Sequence, residues 1–207
     1  MIDLDNNTID LDLFKNIINE LKDNNQRSSD ILDSYSLNQF NSKQCLINLI
    51  KNSGALKPCP EIVIFGSWYA SILVPALVDY SSRITCIDID EGALKIAKNR
   101  FFAGCSSIDF IHADVFSKYR GRFANTGLFI NTSCEHMYPM KDWPFWDKIN
   151  VDSYFAFQSN NMFDIEGHVN CVNNLEEFKS QLPEHFAVTD DAEIKDTRGT
   201  RFTLIGK

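Results

Sequence analysis

The stretch EIVIFGSWYASILVPAL, Glu61 to Leu77, decides the fold. Its apolar run Ile62 to Phe65 reads as a buried strand, Gly66 as a turn, and the segment from Ser71 onward as a helix despite Pro75. Strand, tight turn and helix together outline a nucleotide-binding turn. A turn that wraps a pyrophosphate normally carries three glycines in the spacing G-x-G-x-x-G. Here Gly66 is followed by Ser67, Trp68, Tyr69 and Ala70.

Toward the C-terminus, short apolar strands alternate with helical segments. RITCID, IDFIHA, TGLFINTS and SYFAFQS read as strands, while EGALKIAKNRF and NLEEFKSQL read as helices. Such alternation implies parallel strands with crossover helices, hence a three-layer α/β sheet. The chain closes with HFAVTDDAEI and TRFTLIGK around the turn-forming KDTRG, a hairpin that adds antiparallel strands.

Toward the N-terminus the character is helical. In IDLDLFKNIINELKDNN, Leu11, Phe14, Ile17, Ile18 and Leu21 recur at spacings of three and four and form one apolar stripe. A polar stretch, NNQRSSD, follows, and then a second helical pattern through Leu46, Leu49 and Ile50 that stops near Gly54, Pro58 and Pro60. Residues 1–55 therefore read as a helical extension and 56–207 as the α/β unit, together one compact body.

At 207 residues and 44% apolar content the chain suits a soluble globular protein. Its net charge of -8, with scattered basic residues, shows no stripe built to neutralise phosphates and disfavours nucleic acid as a partner. No apolar run reaches the length of a membrane span. Six widely spaced cysteines without a C-x-x-C pair fit a reduced, cytoplasmic setting.

The order of strand, glycine turn, helix, strand ending in an acid, helix, strand ending in an acid and terminal hairpin resembles the class I S-adenosylmethionine-dependent methyltransferases, over roughly Cys45 to Lys207. The resemblance implies a Rossmann-like methyltransferase sheet with S-adenosyl-L-methionine as cofactor and the N-terminal helices as a cap. It carries Gly66, Ser67 and Trp68 onto the turn beneath the methionine part, Asp88 onto the acid that binds the ribose hydroxyls, and Asp114 onto the group near the adenine amine. Ile89, Val115 and Asn131 join the expected cofactor site. After the fourth strand, CEHM resembles the pair found in members acting on small molecules, which makes Glu135 and His136 the candidates for acceptor orientation or proton transfer.

Physical reasoning agrees with that cofactor. A pyrophosphate must press against backbone N–H groups at a helix start, where Trp68 and Tyr69 would intrude. A sulfonium donor carries no phosphate, needs one close backbone approach, and tolerates aromatic walls. Bland readings stay open beside these: Gly66 as an ordinary turn, Asp90 and Glu91 as helix caps, and His136 as packing at a helix start. Gln158, Ser159, Asn160, Asn161 and His168 form either a substrate-reading set or a polar loop. Trp143, Phe145 and Trp146 fit core packing, and Cys134 a buried thiol. His112, His136, His168 and His185 have no partner at ligand spacing, so no metal is expected. The expected function is methyl transfer to a small-molecule or protein acceptor. A non-catalytic cofactor-binding domain and a nicotinamide-dependent enzyme are the alternatives.

Overall fold

The computed structural model describes residues 11–57, 59–117 and 123–207. Pro58, the start of the first helical pattern at residues 9 and 10, and the first ten residues of the extension lie outside them.

Seven strands form one sheet: β1 (Glu61–Phe65), β2 (Arg83–Asp88), β3 (Ile108–His112), β4 (Thr126–Asn131), β5 (Tyr154–Asn160), β6 (Val188–Lys195) and β7 (Thr200–Gly206). Their spatial order is β3-β2-β1-β4-β5-β7-β6. The first five run parallel, with Phe65 opposite both Ile87 and Asn131. β7 inserts antiparallel between β5 and β6, completing the expected hairpin.

Alternation along β1 separates two cores. Ile62 and Ile64 face one side, where they pack with Leu46, Ile47 and Ile50 from the N-terminal helices. Val63 and Phe65 face the other, against Phe129, Phe155 and Trp143. Phe129 and Phe155 stack with centroids 4.8 Å apart. Trp143 is 2% exposed, so it is a core residue; replacing it with Ala would cost roughly 3–5 kcal/mol.

The N-terminal region forms α1 (Leu11–Asp23), α2 (Ser28–Ser34) and α3 (Leu37–Ser53). α3 is bounded as its sequence requires: the Ser36 hydroxyl accepts from the Gln39 N–H, and Gly54 ends the helix at φ +81°. The expected stripe of α1 needs correction. Leu11 and Phe14 are exposed, and the seam of α1 runs through Leu13, Ile17, Glu20 and Leu21. Glu20 turns inward because its Oε2 meets Arg100 Nε at 3.1 Å. The polar stretch NNQRSSD folds as a 3-10 turn and the start of α2.

After β1 come α4 (Leu73–Leu77) and a 3-10 turn, Val78–Tyr80. α5 (Glu91–Ile96) is capped by Asp90, whose side chain accepts from Ala93 N–H, and it continues as a π-helical turn to Phe101. α6 (Leu175–Ser180) is capped by Asn174. No helix among the described residues is long and apolar enough to cross a membrane.

Candidate active site

Strand order reverses between β1 and β4, and open parallel sheets bind ligands at the carboxyl ends of strands on either side of such a point. A cavity of about 870 Å³ lies there, within the usual size of small-molecule sites, roughly 300–1,000 Å³.

The Gly66 turn forms its floor. Gly66 has φ +57°, and a Cβ on it would lie 2.7 Å from Met137 Cε and 3.1 Å from Ser133 Cβ. Both the conformation and the close approach of the segment after β4 therefore demand glycine. The missing glycines have a conformational answer. Trp68 (φ +49°) and Ala70 (φ +52°) adopt the left-handed conformation without being glycine. Residues in that region cost about 1–3 kcal/mol each and persist where the surroundings over-determine them. Here Trp68 N–H donates to Asp88 Oδ2 at 2.6 Å, and Ala70 N–H to Ser67 O at 2.7 Å.

Asp88 lines the cavity with its two oxygens also held by the Trp68 and Asp90 N–H groups, the latter at 2.8 Å on Oδ1. Burial pushes its carboxyl above the ordinary 3.8, although these N–H donors oppose the rise. Asp90 is not among the cavity residues. It caps α5 and takes a two-pronged ion pair from Arg27, whose Nε donates to Tyr69 Oη at 2.9 Å. Arg27 thus ties the N-terminal helices to the turn.

Ile89, Val115 and Asp114 complete this half of the cavity. Ile89 stands 71% exposed at the cavity, and Val115 is buried. Asp114 is held by its own turn, accepting from Phe116 N–H at 2.8 Å and from the Ser117 hydroxyl. Ser67 lines the floor with a buried hydroxyl that lacks a hydrogen-bond partner. Asn131 does not line the cavity. Wholly buried, it accepts from Ser133 N–H at 2.9 Å and so braces the segment after β4.

The opposite wall comes from that segment and from distant chain. Glu135 is 3% exposed, with Oε1 accepting from Asn160 Nδ2 at 2.6 Å and lying 3.7 Å from Arg201 Nη1. His136 sits at the rim, and His168 reaches the same wall. Their rings meet edge to face with centroids 4.6 Å apart, which corrects the spacing argument that separated the histidines. Burial holds the His168 imidazole below 6.5. Cys134 is buried and its thiol is raised well above 9.0, chiefly by burial, as in a packed thiol.

Two further corrections concern the polar residues Gln158 to Asn161. Gln158, Ser159 and Asn160 belong to β5 and are wholly buried. Gln158 exchanges hydrogen bonds with Ser42, its Oε1 accepting from the hydroxyl at 3.0 Å, so it anchors α3. Asn161 accepts from Thr200 N–H and ties the end of β5 to the start of β7.

Sequence reasoning missed Lys43 on α3 and Arg201 on β7, both of which line the cavity. Burial, and then Arg201, pull the Lys43 ammonium down to about 7, with Glu135 opposing. A lone arginine entering the apolar run Phe202 to Ile205 was the available signal for Arg201.

No protein-family model matches the chain, and no curated sequence is similar to it. Solved structures do match. The N-methyltransferase NodS from Bradyrhizobium japonicum, in complex with S-adenosylhomocysteine, is 16% identical with a TM-score of 0.67, over 94% of this chain and 97% of that one. The chain has the class I S-adenosylmethionine-dependent methyltransferase fold. Magnesium protoporphyrin IX methyltransferase from Synechocystis, also with bound S-adenosylhomocysteine, matches this methyltransferase fold at 11% identity and TM-score 0.61, over 82% of each chain. A B. subtilis tRNA methyltransferase matches at 14% identity and TM-score 0.52, over 75% of this chain and 64% of that one.

Proposed function

We propose that this chain is an S-adenosylmethionine-dependent methyltransferase acting on a small-molecule or protein acceptor in the cytoplasm, and that residues 1–55 cap its site. The observation that carries the reading is one cavity at the strand-order reversal that joins the Gly66 turn, the Asp88 carboxylate and the apolar pair Ile89 and Val115. The residues fit the cofactor part by part. Gly66 admits the methionine moiety, and the unpartnered Ser67 hydroxyl is available to its polar atoms. Asp88 accepts the ribose hydroxyls, Ile89 and Val115 flank the adenine, and Asp114 lies toward its amine. Trp68 offers an aromatic wall to a sulfonium.

Bound S-adenosylmethionine supplies a methyl group already activated by the positive sulfur. The residues need chiefly to align an acceptor in line with it, and alignment can contribute about 7–11 kcal/mol. Glu135 and His136 stand on the wall away from Asp88 and orient the acceptor or take its proton. Capping by α2 and α3 brings Ser34, Gln39 and Lys43 to the cavity. The left-handed path at Trp68 and Ala70 favours a working cofactor turn over a degenerate one, because the costly backbone shape is kept without glycines.

The test compares thermal unfolding with S-adenosylhomocysteine and with NAD, then follows labelled methyl transfer into small-molecule and protein fractions of cell extract. A ligand at about 100 times its dissociation constant adds roughly 2.7 kcal/mol of stability. Stabilisation by S-adenosylhomocysteine and label in one fraction is expected. Stabilisation by NAD alone reverses the assignment, and binding without transfer into any extract points to a non-catalytic domain.

A further inference from the structure

On the acceptor wall, Glu135, His136 and His168 each bring one potential ligand atom within 4.8 Å of the other two. The methyl-transfer reading uses the first two for orientation or proton transfer and leaves His168 without a role. Three observations show a built site. His136 Nδ1 lies 2.9 Å from Gly167 O, and His168 Nδ1 lies 2.9 Å from Met162 O. A carbonyl only accepts, so both Nδ1 atoms carry the proton and both Nε2 atoms keep the lone pair with which imidazole ligates metals. Asn160 fixes the third group by donating to Glu135 Oε1 at 2.6 Å. That leaves Glu135 Oε2 buried with no hydrogen-bond partner on a residue only 3% exposed. A buried acceptor left unsatisfied costs about 1–3 kcal/mol, more for a charged one, and a cation would satisfy it.

We propose that Glu135, His136 and His168 bind one divalent transition-metal ion. Two imidazoles and one carboxylate are the donors of zinc and non-haem iron sites that keep positions open for substrate, whereas magnesium and calcium prefer oxygen. All three residues line the cavity, so the open positions serve an acceptor that carries an oxygen ligand, such as a hydroxyl or carboxylate. Arg201, 3.7 Å from Glu135 Oε1, lies on the oxygen already engaged, and its own charge is offset by Asp196 at 3.8 Å. The ion's part in catalysis rests on the methyl-transfer reading; its binding does not.

The test is calorimetric titration of chelator-treated full-length protein with Co²⁺ and Zn²⁺, together with the visible spectrum of the Co²⁺ form. One ion per chain is expected, with Co²⁺ bands, and excess Mg²⁺ should not displace it. His168→Ala and Glu135→Gln should each weaken binding by more than about tenfold, while His185→Ala, outside the cluster, leaves it unchanged. Unfolding midpoints and S-adenosylhomocysteine titration check that the variants fold, and the rim variant His136→Ala reads the same site if His168→Ala does not. No Co²⁺ binding, displacement by Mg²⁺, or binding unaffected by the ligand substitutions overturns the proposal. Metal binding without S-adenosylhomocysteine binding upholds it and sinks the methyl-transfer reading; the reverse result does the opposite.

Discussion

Replacing Asp88 and Asp90 separately by Ala asks which acid at the end of β2 serves the cofactor. Asp88 lines the cavity and accepts from two backbone N–H groups at 2.6 and 2.8 Å, whereas Asp90 caps α5 and pairs with Arg27. Losing hydrogen bonds between a carboxylate and two ribose hydroxyls removes about 1.5–3 kcal/mol of binding, equivalent to roughly 10- to 150-fold in the dissociation constant of S-adenosylhomocysteine. Asp88→Ala also frees the Trp68 N–H, so the left-handed turn loosens and stability falls as well. Asp90→Ala loses a cap, about 1 kcal/mol, and the Arg27 pair, but it should leave affinity within roughly threefold. Calorimetric titration of both variants, beside their urea unfolding curves, separates affinity from stability. An affinity loss at Asp90 equal to that at Asp88 would refute the assignment of the ribose acid, as would unchanged affinity in Asp88→Ala.

The turn and the pH dependence yield further expectations. Gly66→Ala should destabilise by about 2–4 kcal/mol in denaturant unfolding, combining a left-handed alanine with a Cβ 3.1 Å from Ser133 Cβ. Ala70→Gly, which relieves φ +52°, should leave stability unchanged or raise it by up to about 1 kcal/mol, where a glycine inside ordinary structure would lower it. Because burial raises the Asp88 carboxyl, acidification should weaken S-adenosylhomocysteine binding at a pH above the ordinary 3.8, and Asp88→Asn should remove that dependence. The sign for stability is opposite: a raised folded value favours the fold at low pH and loses that contribution as pH rises through it, so unfolding curves should not track the binding loss.

The strands and the glycine turn were legible because their signals are local. Ile62 to Phe65 is an apolar run that a central parallel strand requires, and Gly54 marks the expected end of α3. Conformation at Trp68 and Ala70 was not legible, since neither side chain announces a positive φ. Gln158, at the end of the strand SYFAFQS, and Asn160 just beyond it were grouped with a polar loop because they are polar. Their partners, Ser42 and Glu135, are far away in sequence, and only the fold shows that buried strand residues satisfy them. The same distance hid the meeting of His136 with His168 and the arrival of Lys43 and Arg201 at the cavity. The stripe of α1 was displaced by an ion pair, Glu20 with Arg100, that periodicity does not encode.

The insertion of β7 between β5 and β6 has a consequence for biosynthesis. β7 is made after β5 and β6 yet lies between them, so until Thr200–Gly206 emerges the Phe155 to Phe157 edge of β5 lacks its partner and β6 has none in the sheet. Such bare edges invite pairing with other chains. β6 carries Asp190, Asp191 and Glu193, charges that discourage that pairing while it waits. Arg201 arrives with the same strand, so the cavity wall is finished only once β7 has been made. Ribosomes stalled before residue 200 would therefore hold a chain with its first strands ready to pair and its ligand site still incomplete.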